Sequence, residues 1–79
     1  MMLDLQQILA DIARAIVDDP DAVAVSMTET DHTILLELNV APDDMGMVIG
    51  RNGRIAKAIR TVIKAASNEC GKKVSVEIK

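Results

Sequence analysis

The chain contains 79 residues, of which 49% are hydrophobic, and it has a formal net charge of −3, one cysteine and no Phe, Tyr or Trp. This length allows a single small domain, residues 1–79, with the composition of an ordinary globular protein. The missing aromatic residues argue against modules that stack bases on aromatic rings, and a lone cysteine excludes an internal disulfide or a cysteine-based metal site.

The charge is divided unevenly along the chain. Residues 1–50 hold ten acidic residues and one basic residue, Arg14, which gives −9. Residues 51–79 hold eight basic residues and two acidic ones, Glu69 and Glu77, which gives +6. Because salt screens charges beyond about 10 Å, the second part is expected to attract phosphates although the total is negative.

No apolar run approaches the ~18 residues that a membrane span requires. The first residues also lack the basic region that opens a signal peptide. These features predict a cytoplasmic protein without membrane association.

The first half of the chain predicts a helix followed by two strands. Apolar residues at helical spacing favour an amphipathic helix over residues 3–17, which the Asp18-Asp19-Pro20-Asp21 sequence ends. Alternating apolar residues then predict strands at 23–28 and 33–40, each with one buried face. The short polar connection 29–32 favours an antiparallel hairpin.

The second half predicts two helices and a third strand. Pro42 opens a short helix that ends near Ile49, and a second helix over residues 53–69 ends at Gly71 as its C-terminal cap. Its predicted buried stripe consists of Ile55, Ile59, Val62, Ile63 and Ala66. Strand 73–79 follows, and we expect it to lie parallel to the first strand through a right-handed crossover. The fold class is therefore α+β, a two-layer domain in the order α-β-β-α-α-β, with a three-stranded mixed sheet covered by three helices.

The loop Gly50-Arg51-Asn52-Gly53 between the two later helices is the strongest functional signal. Glycine lets a backbone touch a bulky phosphate, and Gly53 begins a helix whose unpaired N–H groups attract anions. Arg51 and Arg54 add positive charge beside these groups. Along the following helix, Arg54, Lys57, Arg60 and Lys64 are expected on the side opposite the buried stripe, as a continuation of the basic surface.

This loop and its surroundings resemble the KH domain, in which an apolar pair, here Val48-Ile49, precedes a Gly-x-x-Gly loop and an apolar residue, here Ile55, follows it. The order of elements resembles the type II KH arrangement over essentially the whole chain. The segment from Ala41 to Ile78 is also similar to the KhpA family of small bacterial single-domain KH proteins.

The resemblance implies a cytoplasmic RNA-binding protein, a probable RNA chaperone, that forms a homodimer or pairs with a larger multidomain KH protein and affects cell shape and cell wall synthesis. It implies single-stranded RNA as the partner, with about four nucleotides clamped. It implies neither a cofactor nor a small-molecule substrate. Ile49 and Ile55 would form the floor of the groove and strand residues 35–39 its far wall. The predicted RNA-binding residues are Ile49, Gly50, Arg51, Asn52, Gly53, Arg54, Ile55, Lys57, Arg60 and Lys64.

Two other functions are open at this point. A regulator of the BolA type would use His32 and Cys70 for iron–sulfur chemistry. A pure interaction domain would dimerise through the small residues Ala58, Val62 and Ala65. An enzyme is not expected, because the sequence lacks a visible nucleophile–base pair and a nucleotide-binding glycine fingerprint.

The acidic residues also have simple explanations. Asp18, Asp19 and Asp21 could hold a cation, but helix termination and solvation explain them better. Asp43 and Asp44 are explained by the dipole of the helix that they precede.

Overall fold

The computed structural model describes residues 4–67 and 71–79. Its helices and strands are α1 (Leu5–Ile16), β1 (Ala24–Glu29), β2 (Thr33–Asn39), α2 (Met45–Ile49), α3 (Arg54–Ala66) and β3 (Lys73–Ile78). Short 3-10 turns at Pro20–Ala22, Pro42–Asp44 and Arg51–Gly53 connect them. The predicted order α-β-β-α-α-β and the α+β class are confirmed.

Helix α1 begins and ends close to the predicted positions. The side chain of Asp4 accepts the N–H of Gln7 at 3.1 Å and so caps the first turn. The helix buries one stripe against the sheet, formed by Leu5, Leu9, Ala10 and Ala13. No helix among the described residues is long and apolar enough to cross a membrane.

Helix α3 ends earlier than predicted. Ser67 is its C-cap residue, and the Ser67 hydroxyl donates to the carbonyl of Lys64 at 2.9 Å. A serine that bonds a nearby carbonyl competes with continuation of the helix, which explains the earlier end. Gly71 has a φ of +73° but is not the cap. Residues 68–70, which include the rest of the predicted helix and Cys70, lie outside the described residues.

The sheet has the order β1-β2-β3, and the direction predicted for the third strand is wrong. β1 pairs with β2 antiparallel, whereas β3 pairs with β2 in parallel and therefore runs opposite to β1. The helices between β2 and β3 return the chain to the end of the sheet where β2 began, so the next strand runs in the direction of β2. The mixed, three-stranded character of the sheet is confirmed.

The core lies between the helices and one face of the sheet. The largest fully buried side chains come from both layers: Leu9, Leu36, Leu38, Val48 and Ile63. β1 contributes less than predicted, because Val25 is half-buried and Met27 is 45% exposed. The reason is its place at the edge of the sheet, where it packs against α1.

The other face of the sheet is polar. There the Lys79 ammonium bonds the Glu37 carboxylate at 2.6 Å. The hydrogen bond and the charge of Glu37 raise the pKa of Lys79 above its ordinary value of 10.5. The loop 50–53 and the basic residues of α3 lie on the opposite side of the domain, in the helical layer.

Candidate nucleic-acid interface

The loop between α2 and α3 is built from residues with positive φ. Gly50 has a φ of +74°, Asn52 of +57° and Gly53 of +73°. A Cβ atom added at Gly50 would lie 2.6 Å from Cγ1 of Ile55, so only glycine fits there without displacing that side chain. At Gly53 a Cβ atom would meet nothing within 4 Å, so the backbone conformation alone favours glycine.

This loop presents polar groups at the start of α3. Arg51, Asn52 and Arg54 are all exposed. Gly53 occupies the N-cap position and offers no side chain to the N–H groups of the first turn. The N–H of Arg54 bonds the carbonyl of Arg51. The N–H groups that follow it in the first turn lack intrahelical partners and carry partial positive charge, so the loop is suited to an anion.

The basic residues of α3 lie beside β3. The Nε–H of Arg60 donates to the carbonyl of Val76 at 3.2 Å. Lys57 and Lys64 lie about one turn before and after Arg60 on the same side of the helix, and both are exposed. We call Lys57, Arg60 and Lys64 the basic flank of α3.

The strand beside the basic flank is the free edge of the sheet. The N–H groups of Lys73 and Lys79 bond carbonyls of His32 and Leu38, at 3.0 and 2.8 Å. Odd-numbered residues of β3 therefore pair with β2. The N–H and C=O groups of the even-numbered residues between them point to the free edge, where Arg60 reaches one carbonyl.

The buried stripe of α3 differs from the predicted one. Ala56, Ile59 and Ile63 are buried, whereas Ile55 is 37% exposed and Val62 is 49% exposed. The stripe is rotated because α3 packs between β3 and α1. As a result Arg60 lies next to the buried stripe rather than opposite to it, and only Lys57, Lys64 and Arg54 lie well away from it.

A second exposed surface of α3 is apolar. It consists of Ile55, Ala58, Val62 and Ala65, which are all exposed. We call these four residues the apolar flank. At about 100° per residue, Ile55 lies about 140° around the helix from Arg60, so the two flanks point in different directions.

The structure contradicts the predicted far wall of the groove, whereas its floor at Ile49 and Ile55 stays a prediction. Ile49 is 39% exposed and Ile55 37% exposed, and Ile55 is also part of the apolar flank. The predicted far wall at 35–39 lies in the central strand β2, where Leu36 and Leu38 are fully buried. The strand next to the basic flank is β3 instead.

Asp44 is a residue whose role the sequence did not reveal. It is 3% exposed, and its carboxylate accepts the backbone N–H groups of Asp18 at 3.4 Å and Asp19 at 3.1 Å. These bonds tie the connection after α1 to the start of α2, which leads into the loop 50–53. In the sequence Asp44 cannot be distinguished from Asp43, which is exposed.

The His–Cys alternative is not tested by the structure, because Cys70 lies outside the described residues. Within residues 4–67 and 71–79, no three His, Cys, Asp or Glu side chains come together in a group that could hold a metal ion. His32 lies exposed in the connection between β1 and β2.

Residues 6–78 match the KhpA/KhpB KH-domain family. The chain is 58% identical over 74 residues to the RNA-binding protein KhpA of Clostridium acetobutylicum, and the match covers 94% of this chain and 99% of that protein. It is 53% identical to the RNA-binding protein KhpA of Caldanaerobacter subterraneus, with 91% of this chain and 96% of that protein covered.

Among solved structures, the chain is similar to Era in complex with MgGDPNP and nucleotides 1506–1542 of 16S ribosomal RNA. The TM-score is 0.61 at 21% sequence identity, and the match covers 96% of this chain and 30% of Era. Aquifex aeolicus Era gives a similar TM-score of 0.60. At this identity the likeness concerns the fold.

Proposed function

The chain belongs to the KhpA/KhpB family of KH domains, and on this premise we propose that it binds single-stranded RNA through the loop 50–53 and the basic flank of α3. The observation that carries the proposal is the loop itself, in which three residues have positive φ (Gly50, Asn52 and Gly53) and two arginines, Arg51 and Arg54, are exposed at the start of α3. The names of the relatives, RNA-binding proteins, support the same assignment.

In this binding mode the RNA backbone lies on the loop. Phosphate oxygens accept hydrogen bonds from the N–H groups that follow Arg54 in the first turn of α3 and from the guanidinium groups of Arg51 and Arg54. The Asn52 amide supplies a further donor or acceptor. The ribose–phosphate chain then follows Lys57 and Lys64, which neutralise its charge.

The bases would lie between α3 and the free edge of β3. Backbone N–H and C=O groups of that edge offer hydrogen bonds to base edges, and Ile49 offers an aliphatic contact. Since the chain has no aromatic side chain, stacking on rings contributes nothing. Met47, 37% exposed just before the loop, adds no charge there, so binding by one copy is expected to be modest and tolerant of sequence.

We also propose that the apolar flank binds a second KH domain. Ala58 and Ala65 are small enough to allow close approach of another helix, and Ile55 and Val62 supply apolar area that is otherwise exposed to water. A second copy of this chain fits such a surface, because a two-fold axis would bring identical flanks together. The KH domain of a larger multidomain protein could take the same place.

The cellular role that we propose follows the family resemblance. It is that of an RNA chaperone or post-transcriptional regulator in the cytoplasm, which acts on cell shape and cell wall synthesis. Neither catalysis nor a cofactor is part of this proposal.

The proposal is tested by reversing the polarity of the loop. The double substitution Arg51→Asp and Asn52→Asp changes two exposed side chains, and Asp, like Asn, tolerates a positive φ. Thermal unfolding should be nearly unchanged, while the affinity for single-stranded RNA, measured by fluorescence anisotropy, should fall below detection. Arg14→Asp, which changes an exposed charge on α1, is the control and should keep the affinity. Wild-type affinity in the double variant at moderate salt would rule out the loop as the RNA site.

A further inference from the structure

Arg60 differs from the other two residues of the basic flank because it bonds the neighbouring strand. Its Nε–H donates to the backbone carbonyl of Val76 at 3.2 Å. Arg60 lies in the middle of α3, and Val76 lies within β3, away from both ends of that strand. The bond thus fixes the guanidinium group at the edge along which the bases are proposed to lie.

The free edge of β3 carries backbone donors and acceptors in pairs. In an extended strand the N–H and C=O groups of one residue point to the same side. Since the odd-numbered residues pair with β2, the even-numbered residues Val74, Val76 and Ile78 direct both groups to the free edge. Such a pair of one donor and one acceptor matches adenine, in which an amino group lies beside a ring nitrogen that accepts.

At Val76 the acceptor of this pair is occupied. A base amino group that approached the carbonyl would compete with the Nε–H of Arg60. The second lone pair of that oxygen lies beside a cation, which repels the positively polarised hydrogens of an amino group. The N–H of Val76 points to the same edge, and within residues 4–67 and 71–79 no backbone carbonyl bonds it.

The bond also leaves donors free at this place. A guanidinium group has further N–H donors beyond the one at Nε, and it has no acceptor. Together with the N–H of Val76, these donors line the edge next to Arg60. The position at Val76 therefore offers donors to a base and no unoccupied acceptor.

Guanine and adenine differ in what they present to such a position. Guanine carries two adjacent acceptors, O6 and N7, which a guanidinium group binds with two parallel hydrogen bonds. Adenine has an amino donor in place of O6. Because the two purines have the same ring system, the hydrogen-bonding groups decide between them and the size of the base does not.

We propose that Arg60 gives this domain a preference for guanine over adenine at the base that lies against Val76. This inference rests on the proposed RNA binding and extends it to the identity of one base. Contacts to phosphates carry no sequence information, so the loop 50–53 does not supply the preference. The remaining positions of the RNA strand stay tolerant of sequence.

The test uses tetranucleotides of uridine in which one position carries either guanosine or adenosine. Each position is substituted in turn, and the affinities of wild type, Arg60→Met and Lys64→Met are measured by fluorescence anisotropy at one salt concentration. Both variants remove one positive charge from the basic flank, but only Arg60→Met frees the carbonyl of Val76. Lys64→Met is therefore the matched control, and thermal unfolding checks that each variant is folded.

At one position, we expect wild-type protein to bind the guanosine RNA roughly tenfold more tightly than the adenosine RNA, a typical discrimination for one base contact. In Arg60→Met this ratio should fall nearly to one. In Lys64→Met the ratio should stay as in wild type, although the affinity of both variants for every RNA falls with the lost charge. In wild type, the NMR signal of the Val76 amide should shift more with guanosine than with adenosine at that position.

A ratio near one at every position in wild type would overturn the preference and leave RNA binding by the loop intact. An unchanged ratio in folded Arg60→Met, or an equal fall in Lys64→Met, would also overturn it, because Arg60 would then not be its source. Should Arg60→Met fail to fold, the wild-type ratio and the Val76 amide signal decide the question. If wild-type protein bound none of these RNAs, the proposed function itself would fail, and the preference with it.

Discussion

The two exposed flanks of α3 lie on the same helix but differ in charge and in position relative to β3. The basic flank is charged and lies beside β3, where Arg60 bonds the carbonyl of Val76. The apolar flank consists of alanines and two larger residues, Ile55 and Val62, that are 37% and 49% exposed. Between them the same buried stripe fixes the rotation of the helix. If both proposed assignments hold, one short helix gives a 79-residue chain two separate binding surfaces.

The separation has a functional consequence. Because the flanks point in different directions, a partner on the apolar flank leaves the basic flank and the loop open to RNA. Two joined KH domains would present two loops to one strand, and the second contact would form at a high effective concentration. Modest binding by one domain is therefore compatible with tight binding by a pair.

The largest effect is expected at Gly50, in the loop that leads into α3. Gly50→Ala forces a side chain into a positive φ and against Ile55, which together should cost about 3 kcal/mol of unfolding free energy. Since displacement of Ile55 also shifts the start of α3, RNA affinity and association should fall together. Urea unfolding and anisotropy measure the two losses.

Gly46→Ala is the matched control for this substitution. Gly46 lies within α2, and a Cβ atom there would meet nothing within 4 Å. Alanine favours helix over glycine by about 0.5–1 kcal/mol, so this variant should be as stable as wild type or more stable. Equal stability of the two variants would contradict the close contact assigned to Gly50.

A smaller effect is expected at Asp44, which holds the start of α2 before the loop 50–53 and is not part of the apolar flank. Asp44→Ala leaves two backbone N–H groups without their acceptor and should cost about 2 kcal/mol. If α2 then loses its fixed position, RNA affinity should fall in the folded variant, while association through α3 stays as it is. Asp43→Ala, at an exposed neighbour, should change little. Full RNA affinity in folded Asp44→Ala would mean that Asp44 does not position the loop.

The smallest effect is expected away from α3, at Lys79. Glu37 raises the pKa of Lys79, so the ion pair stabilises the folded chain at pH values below 10.5, the ordinary pKa of lysine. This stabilisation is lost as the pH rises through the higher pKa of Lys79 in the folded chain. Both side chains are partly or fully exposed, so the difference in melting temperature between wild type and Lys79→Ala should be small at pH 7 and vanish at strongly alkaline pH. A difference that grew with pH would contradict this pairing.

The sequence predicted the elements well because each has a local signal. The helical spacing of α1, the alternation in β2 and the glycines of the loop 50–53 all report local backbone conformation. The strand direction of β3 depends on how the helices between β2 and β3 return the chain, which no local pattern encodes. For this reason the predicted order of elements is confirmed, whereas the predicted direction of β3 is wrong.

The candidate RNA site could also be predicted from the sequence only where the signal is local. The glycine loop could be found from residue types, but the rotation of α3 could not, since Ile55 and Val62 are apolar and yet exposed, while the small Ala56 is buried. That rotation depends on packing against β3 and α1. The role of Asp44 likewise depends on a contact 25 and 26 residues away in the chain.

The most direct test of whether the two flanks of α3 act independently measures the mass in solution and the RNA affinity of the same two variants. Val62→Glu places a charge on the apolar flank, and Lys57→Glu reverses one on the basic flank. Sedimentation should show that Val62→Glu is monomeric at concentrations where Lys57→Glu and wild type are dimeric. For a four-nucleotide RNA, which one domain can hold, only Lys57→Glu should lose affinity. Loss of both properties in either variant, or an unchanged mass in Val62→Glu, would contradict the division of α3 into two independent surfaces.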